Sequence, residues 1–440
     1  MLEPRPVVIL GAAGRDFHDF NTCFRGRPNV RVVAFTAAQI PDIAGRRYPA
    51  SLAGEDYPEG IPIVAEERLE ELIAKHDVEE VVFSYSDVSH EHVMHLASRA
   101  LAAGASFSLL GPRRTQLRSQ RPVVAVCAAR TGCGKSQTAR WIARRLVAAG
   151  KRVAAIRHPM PYGDLAAQAV QRFASYEDLE RHACTIEERE EYEAYLEEGL
   201  TIYAGVDYAR ILAQAEQDAD VVLWDGGNND LPFLAADLHL TVVDPLRADH
   251  VERYHPGEAN VRAADLLLIN KVDQAEPAAL EALREALARL NPAAALHEAS
   301  SPVRLDDAAA LAGKPVVVVD DGPTLTHGGM PSGAGYVAAQ AAGAELVDPR
   351  PHAVGSLRET FARFPHLGPV VPAMGYGEEQ RRDLSATLAA TPAEVVVAGT
   401  PIDLGRLLEL DKPCVRARYA LEPRDPDRLA RLLLERLSGS

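Results

Sequence analysis

Apolar and polar residues alternate along the first 115 residues in a pattern that predicts strands and helices in turn. Short runs such as VVIL at residues 7–10 and VRVVAFTA at 30–37 indicate strands. Between them, AEERLEELIAKHD at 65–77 carries apolar residues at helical spacing. Strands that alternate with helices are typical of a parallel sheet covered on both faces. We therefore expect a Rossmann-like N-terminal domain over residues 1–115.

The same alternation resumes twice further along the chain. The Arg-rich stretch GPRRTQLRSQRP at 111–122 is interpreted as a linker, after which strand-like runs return at VVAVCAA. We expect a central α/β domain over residues 120–310 and a C-terminal α/β block over 311–440. The acidic stretch at 176–199 is interpreted as a solvated helical excursion, with a mobile lid as the alternative.

The composition of the chain argues against several classes of function. The chain has 440 residues with a net charge of −15, and 47% of them are hydrophobic, as in ordinary soluble domains. An acidic chain is a poor binder of nucleic acid or of a membrane surface, and no apolar run approaches the ~20 residues of a membrane span. The five widely spaced cysteines argue against disulfides and zinc knuckles. We expect a cytoplasmic protein that acts on small molecules, with a homodimer left open.

The clearest motif is ARTGCGKSQT at residues 129–138, which follows a buried strand and opens a helix. Backbone N–H groups at a helix N-terminus bind phosphate, and glycines let the backbone approach it. The pattern is that of a P-loop, except that Ala129 stands where the usual motif has glycine. The motif therefore predicts a central P-loop NTPase domain. The residues expected to contact the nucleotide are Thr131, Gly132, Cys133, Gly134, Lys135, Ser136, Gln137 and Thr138.

A second motif, VVLWDGGNND at 221–230, ends an apolar strand on Asp225. In P-loop proteins such a carboxylate binds Mg²⁺, directly or through water. We expect Ser136 and Asp225 to hold Mg²⁺ and Lys135 and Asp225 to be catalytic. An ordinary polar turn after a strand is the alternative for this motif.

A third motif, NKVD at 270–273, closes another apolar run. An aspartate there can accept two N–H bonds from guanine, whereas adenine offers no such donor pair, so the motif favours GTP. Asn270, Lys271 and Asp273 are accordingly expected at the base.

Polar residues near other strand ends are candidates for a second, anionic substrate, because ligands of open α/β sheets bind at the carboxyl ends of the strands. For several of them a purely structural role stays open. These candidates are Arg15, Asp16, His18, Asn21, Arg157, His158, Asn228 and Asn229. The loop that holds the first four lacks the G-x-G-x-x-G spacing of a dinucleotide site, which leaves dinucleotide binding as a weaker alternative.

With these motifs together, the chain resembles a known group of P-loop proteins. The phosphate loop and the Asp225 strand resemble the branch that includes dethiobiotin synthetase, nitrogenase-type ATPases and metallochaperone GTPases. The combination of VILGAAGRDFHDFN, ARTGCGKSQT, IRHPMPYGDL and DGGNNDLPF resembles predicted GTPases grouped with cyclic 2,3-diphosphoglycerate synthetase. That resemblance spans nearly the whole chain. It implies ATP-driven closure of a phosphoanhydride on a small metabolite, whereas NKVD favours GTP.

We therefore expect a Mg²⁺-dependent purine nucleoside triphosphatase that uses the γ-phosphate of ATP or GTP to phosphorylate or ligate a small anionic phospho-metabolite. The alternative is a GTPase switch or metallochaperone that acts on a protein partner. The sequence contains no His- or Cys-rich tract that could bind a metal ion in a metallochaperone.

Overall fold

The computed structural model describes residues 3–38, 43–158, 163–227, 229–326, 329–373, 378–400, 402–408 and 410–438. Three main sheets, built mostly from parallel strands, follow one another along the chain. The α/β class expected from the alternation of strands and helices is confirmed. Across these described ranges, none of the helices combines the length and apolar character needed to cross a membrane.

The N-terminal unit is a six-stranded sheet in the order β3-β4-β2-β1-β5-β7, in which only the β3–β4 pair is antiparallel. Its core contains an aromatic cluster in which Phe17 stacks on Tyr48 at 4.6 Å between ring centres. The elements are β1 (Arg5–Leu10), α1 (Arg15–Asp19), β2 (Val30–Ala37), β3 (Arg47–Tyr48), α2 (Ala50–Ala53), β4 (Ile61–Ala65), α3 (Leu69–His76), β5 (Glu80–Phe83), β6 (Val88–Ser89), α4 (His90–Ala102), β7 (Ser106–Leu109) and α5 (Pro112–Thr115).

The central unit is a nine-stranded sheet in the order β10-β11-β9-β12-β8-β13-β15-β16-β23. Its seven inner strands are parallel, and β8 at its middle is buried along its whole length. The elements are β8 (Val123–Ala128), α6 (Lys135–Ala148), β9 (Val153–Ile156), β10 (Gln171–Phe173), α7 (Tyr176–Arg181), α8 (Ile186–Leu196), β11 (Thr201–Ala204), α9 (Tyr208–Asp218), β12 (Val221–Trp224), β13 (Leu238–Val243), β14 (Tyr254–His255), α10 (Gly257–Ala263), β15 (Leu266–Ile269), α11 (Pro277–Leu290) and β16 (Ala295–Ser300).

The C-terminal sheet has the order β17-β22-β21-β18-β19, with β20 also pairing with β18. Its elements are β17 (Val303–Leu305), β18 (Pro315–Asp321), α12 (Gly322–Thr326), α13 (Ala334–Ala341), β19 (Glu345–Leu346), α14 (Gly355–Arg363), β20 (Val371–Ala373), α15 (Glu378–Ala390), β21 (Val395–Gly399), α16 (Leu404–Leu407) and β22 (Cys414–Tyr419). The chain then returns to the central unit through β23 (Glu422–Pro423) and α17 (Pro426–Ser438). Strand β23 pairs with β16, and Leu429 and Leu433 join the core of the central unit.

The stretch interpreted as a linker is packed against the central unit. The backbone N–H of Leu117 donates to the Phe233 carbonyl at 2.8 Å, and the N–H of Ala235 donates back to the Leu117 carbonyl at 2.9 Å. His18 stacks on Phe233 with ring centres 4.2 Å apart and lies 2.7 Å from the Thr115 carbonyl through Nε2. The N-terminal and central units are thus held together by hydrogen bonds and ring contacts.

The acidic stretch is not a solvated excursion, so that expectation was wrong. Helix α8 is wedged between the central and C-terminal units, and its Tyr192 and Tyr195 are almost completely buried. Glu190 is also buried and accepts a hydrogen bond from the Thr400 hydroxyl. Glu191 pairs with Arg157 of another segment, whereas Glu188 and Glu193 pair with Thr185 and Arg189 of the helix and its cap, and this pairing allows the acidic side chains to be buried.

Candidate functional site

The carboxyl ends of strands from all three units surround one cavity of about 370 Å³. The phosphate loop lines one part of its wall, here called the phosphate end. The loop between β1 and α1 and the segment after β12 line another part, here called the far end, and the C-terminal unit contributes Asp321, Thr324 and Gly333 to the wall. A parallel α/β sheet binds ligands at this edge.

The phosphate loop has the backbone that its glycines predict. Gly132 and Gly134 have φ of +84° and +102°, which side-chain-bearing residues rarely adopt. A Cβ on Gly134 would overlap the side-chain amides of Asn270 and Gln137. Helix α6 begins directly afterwards at Lys135, so the N–H groups of its first turn have no partner within the helix. Those groups and the loop amides form the predicted anion site.

Four side chains meet beside this loop at Asp225, which is fully buried at the end of β12. Lys135 Nζ donates to Asp225 Oδ1 at 2.6 Å, and Arg157 donates to Oδ2 at 2.6 Å. The Tyr195 hydroxyl, from α8, donates to the same Oδ2 at 2.8 Å. Arg157 also forms an ion pair with Glu191. Every charge in this group therefore has a partner.

The electrostatics follow from this pairing. Burial alone would raise the pKa of Asp225, but the charges of Arg157 and Lys135 hold that pKa below its usual range. Burial, followed by repulsion from Arg157, lowers the pKa of Lys135 to about 8. A bound phosphate would add negative charge and favour the protonated lysine. Asp225 is thus an anion, and Lys135, its ion-pair partner, stays the residue predicted to contact phosphate.

The P-loop architecture implies Mg²⁺, and the oxygens present fit such an ion. The same Arg157 nitrogen that contacts Asp225 also donates to the Ser136 hydroxyl at 3.3 Å. A hydroxyl and a carboxylate oxygen therefore already lie on either side of one positively charged group. Such hard oxygen ligands are those that Mg²⁺ takes, together with phosphate and water. Ser136 and Asp225 stay the predicted metal ligands.

The NKVD residues connect the end of β15 to the phosphate loop. Asn270 Nδ2 donates to the Cys133 carbonyl at 2.9 Å, and Lys271 Nζ donates to the Gly132 carbonyl at 2.7 Å. Asp273 is exposed, and its Oδ1 accepts from the Ser301 backbone N–H at 3.1 Å. The cavity near this point is lined by Lys271, Gln274 and Ser301 rather than by Asp273.

Of the remaining residues predicted at the nucleotide, Thr131, Ser136 and Gln137 line the cavity. The Thr138 hydroxyl instead donates to the Gly134 carbonyl at 2.9 Å. Cys133 is buried, with its sulfur 3.8 Å from an Arg247 nitrogen. The last two therefore support the loop from behind and do not face the cavity.

The other end of the cavity is lined by residues predicted to bind the second substrate, with one addition. Asp16, His158 and Asn229 all lie there, and Asp230 joins them. Asn229 donates to the Thr131 hydroxyl at 3.2 Å. A Cβ on Gly227 would overlap the His158 ring, so the glycine makes room for this histidine.

Buried titratable groups at this end have shifted pKa values. Burial raises the pKa of both Asp16 and Asp230 to about 7, with Asp230 adding to the shift of Asp16. Burial, followed by repulsion from Arg157 and Lys135, lowers the pKa of His158 to about 3. His158 is therefore a neutral imidazole at physiological pH.

Three further residues predicted to bind substrate have contacts elsewhere. Arg15 lines the cavity, but it donates to the Leu231 carbonyl at 3.1 Å and lies 3.7 Å from Asp19. His18 packs against Phe233, as described above. The Asn21 amide donates to the Val206 carbonyl at 3.3 Å. Neither His18 nor Asn21 lines the cavity, and Asn228 lies outside the described residues.

The sequence interpretation missed the contribution of α8 to this site. Tyr195 and Glu191 reach Asp225 and Arg157, although they come from a stretch interpreted as solvated. The sequence did contain one indication of burial. The two tyrosines of EEREEYEAYLEE are three residues apart and so lie on one face of the helix, which a fully solvated helix does not require. In the C-terminal unit, buried Asp320 accepts from the Gly333 and Gly335 N–H groups at 2.8 Å each and fixes the loop that lines the cavity.

Comparisons of the sequence with known proteins found a family and a relative that it matches. Residues 211–298 match the family described as CobW/HypB/UreG, nucleotide-binding domain. The chain is 58% identical over 434 residues to the arginine synthetase ArcE of Thermococcus kodakarensis, covering 98% of this chain and 97% of that protein.

Among solved structures, LpxK from Aquifex aeolicus in complex with ATP aligns at 14% identity with a TM-score of 0.42, covering 73% of this chain and 90% of that one. HypB from Archaeoglobus fulgidus aligns at 19% identity with a TM-score of 0.27, covering 41% and 81%. TM-scores this low carry no argument about the present chain.

The family match confirms the P-loop NTPase domain expected from the motifs. The synthetase relative, together with this domain, supports nucleotide-dependent synthetase activity, that is, an enzyme of the ligase type. The relative's name contains no reference to diphosphoglycerate, so the substrate implied by the sequence resemblance gains no support from it.

Proposed function

We propose that this chain, which belongs to the family of the arginine synthetase ArcE of Thermococcus kodakarensis, forms arginine in a ligase reaction driven by a purine nucleoside triphosphate. The observation that carries the proposal is the cavity, in which Lys135 lies beside the phosphate loop and Asp16 and Asp230 line the far end. A nucleotide and a small nitrogen-rich substrate fit these two ends by charge. A phosphorylated metabolite fits less well, because the far end offers it carboxyl groups.

The structure of arginine limits which reactions can form it. Its guanidinium carbon bears one nitrogen that is also bonded to the side chain and two terminal NH₂ groups. A nucleotide γ-phosphate activates an oxygen, and the oxygen that a nitrogen can replace to complete a guanidinium is that of a ureido group. We therefore assign the precursor as a ureido amino acid and the nitrogen donor as ammonia.

The roles of the residues follow from the site. Lys135 and the loop amides would bind the β- and γ-phosphates, and Arg157 would stabilise negative charge as the phosphoryl group moves to the ureido oxygen. Mg²⁺ held by Ser136 and Asp225 would neutralise charge on the phosphates. Tyr195 keeps the Asp225 carboxylate in place through its hydrogen bond.

For the nucleotide we propose ATP. One Asp273 carboxylate oxygen already accepts the Ser301 N–H, and Asp273 does not line the cavity. The aspartate then braces the loop beside the base and does not read guanine. This leaves Asn270 and Lys271 with the task of holding the phosphate loop.

The test is direct. The protein is incubated with ATP or GTP, Mg²⁺, ¹⁵N-ammonium and citrulline, which is arginine with a ureido group in place of the guanidinium. Labelled arginine, detected by mass spectrometry and formed in equal amount to the nucleoside diphosphate, is the expected result, and Lys135→Ala should form far less of it. Nucleotide hydrolysis that proceeds equally well without citrulline would contradict the proposal and favour the GTPase switch. A parallel incubation with 2,3-diphosphoglycerate tests the phospho-metabolite.

A further inference from the structure

Two buried polar atoms at the far end of the cavity have no hydrogen-bond partner among the described residues: Asp230 Oδ1 and His158 Nδ1. Asp230 is 4% exposed and His158 is 8% exposed, and both residues line the cavity. A buried polar atom without a partner costs free energy, so an unsatisfied one beside a ligand cavity points to a group that the ligand supplies. The acceptor Asp230 Oδ1 calls for an N–H or O–H donor.

The neighbouring carboxylates differ from Asp230 either in their hydrogen bonds or in their position. Asp16 Oδ1 accepts from the backbone N–H groups of Ala13 and Phe17, at 2.6 Å and 2.8 Å, and so fixes the loop at the start of α1. Asp19 Oδ2 accepts from the Ser84 hydroxyl at 2.9 Å and Asp19 Oδ1 has no hydrogen-bond partner among the described residues, but Asp19 does not line the cavity. Among these three acidic side chains, Asp230 alone combines a place on the cavity wall with an oxygen that has no partner.

Asp230 also interacts electrostatically with the lysine of the phosphate loop. Its charge interacts with Lys135, which is expected to contact the γ-phosphate, and with Arg15 and Asp19 of α1. The Ser86 hydroxyl donates to it as well. The ionisable groups that act on Asp230 or respond to it are Arg15, Asp16, Asp19, Cys127, Lys135 and Tyr208.

We propose that Asp230 binds the ammonium ion that supplies the new nitrogen of arginine and removes its proton, with His158 Nδ1 on the same wall. This inference rests on the proposed function and names the site of its second substrate. Ammonium carries four N–H donors and a positive charge, which match a lone acceptor on a carboxylate. The site is placed between the P-loop and the N-terminal unit, on the side away from the NKVD loop.

The reaction then balances. The ureido oxygen attacks the γ-phosphorus, the bond to the nucleoside diphosphate breaks, and an O-phosphorylated isouronium cation forms that keeps the protons of the ureido group. Asp230 takes one proton from ammonium, and the nitrogen lone pair attacks the isouronium carbon. The C–O bond breaks, inorganic phosphate leaves with the bonding pair and takes one proton from the newly attached nitrogen, and the guanidinium remains. The proton on Asp230 passes to solvent before the next turnover.

The pKa of Asp230 also suits a residue that accepts a proton. Burial raises the pKa of Asp230 to about 7. A carboxylate with such a pKa is a stronger base than an ordinary aspartate and is ionised in part at neutral pH. His158, which lines the same cavity, is neutral and repels no cation.

The experiment measures KM for ammonium and for citrulline separately in the full-length protein. In Asp230→Asn we expect KM for ammonium to rise about 10- to 100-fold while KM for citrulline and for ATP stay within about twofold, since a charged hydrogen bond to ammonium alone is lost. Asp230→Glu should recover part of the loss. The wild-type kcat/KM for ammonium should rise with pH through about 7, and this rise should be absent in Asp230→Asn.

Asp19→Asn serves as the matched control, because Asp19 is a buried carboxylate of the same cluster that does not line the cavity. Its KM for ammonium should stay within about twofold of wild type. If Asp230→Asn raises KM for citrulline instead, Asp230 binds the amino acid and the inference is wrong. If it changes neither constant, the inference is also wrong. If the wild type makes no labelled arginine, the proposed function itself fails.

ATP binding by Asp230→Asn is measured in parallel by thermal shift, to check that the variant is folded. Stabilisation by ATP equal to that of wild type shows an intact phosphate loop. Loss of ATP binding would overturn the inference, since the residue would then serve the nucleotide or the fold.

Discussion

The two ends of the cavity differ in how their charged groups are paired. At the phosphate loop, Lys135, Arg157 and Tyr195 all bond to Asp225, and Arg157 also forms an ion pair with Glu191, although Asn270 Oδ1 there has no hydrogen-bond partner among the described residues. At the far end, Asp230 and His158 each keep one buried atom without a partner among the described residues. The first end is held ready by its own ion pairs, which a phosphate must displace. The second end is completed only by a ligand.

This comparison predicts that substitutions at the two ends lower activity to different extents, and the largest loss of activity is expected at the phosphate loop. Lys135→Ala removes the cation that is expected on the γ-phosphate and also leaves Asp225 with one partner fewer. We expect arginine formation to fall by about 100- to 1,000-fold, the effect of deleting one transition-state donor. Steady-state rates with saturating citrulline and ammonium measure it. A loss below tenfold would mean that Lys135 belongs to the ion-pair cluster alone.

A substitution at the other end should spare the nucleotide. Gly227→Ala adds a methyl group where the His158 ring lies, so the ring must move. We expect kcat/KM for citrulline and ammonium to fall by about 100-fold, because small displacements of reacting groups are costly. ATP binding, followed by thermal shift, should be unchanged. Equal losses of ATP and citrulline binding would remove the distinction between the two ends.

The raised pKa of Asp230 gives a pH-dependent stability. The unfolded chain ionises this group near its usual value of 3.8, whereas the folded protein holds its proton up to about 7. The wild type therefore loses folding free energy as pH rises between these values. Asp230→Asn does not ionise, so its Tm should equal that of wild type near pH 4 and exceed it by roughly 2–10 °C at pH 8. A Tm difference that is independent of pH would contradict this.

Tyr195 allows a smaller test of the paired end. Tyr195→Phe removes one hydrogen bond to the Asp225 carboxylate, and we expect it to lower the free energy of unfolding by about 1–3 kcal/mol. Tyr208→Phe is the control, because the buried Tyr208 hydroxyl has no partner among the described residues. Denaturant unfolding should show little change for the control. Equal destabilisation by both changes would mean that the bond to Asp225 contributes nothing.

The smallest effect is expected at Asp273. Asp273→Asn keeps the oxygen that accepts the Ser301 N–H, so the ratio of kcat/KM for ATP and GTP should change by less than about twofold. If Asp273 recognised guanine through paired hydrogen bonds, the substitution would lower the preference for GTP over ATP by 100-fold or more. Such a loss of GTP preference would reverse our assignment of ATP.

The sequence was informative where one short segment carries the chemistry. Lys135, Ser136 and the glycines around them were predictable because a strand, a tight loop and a helix N-terminus occur in one continuous stretch. Asp225 and Asn270 were predictable because each ends an apolar strand of the same sheet. For these residues local spacing determines position.

The far end was harder to predict because its parts come from separate segments. Asp16, His158 and Asp230 follow β1, β9 and β12, and their grouping depends on how the N-terminal sheet packs on the central one. His18 belongs to the same loop as Asp16, yet it turns into the interface with Phe233. Helix α8 was misjudged because its acidic composition suggested solvent, whereas its glutamates are buried against basic groups and hydroxyls of the helix, its cap and other segments.

The return of the chain through β23 and α17 makes the C-terminal sheet an insertion within the central unit. Its chain enters after β16 and leaves before β23, and these two strands pair with each other. The chain thus crosses between the central unit and the inserted sheet at two adjacent points, and helix α8 packs between the two units. A chain cut after residue 310 would lose both the edge strand and the leucines of α17 from the central core. Completing the sheet and core of the central unit therefore requires residues 422–438.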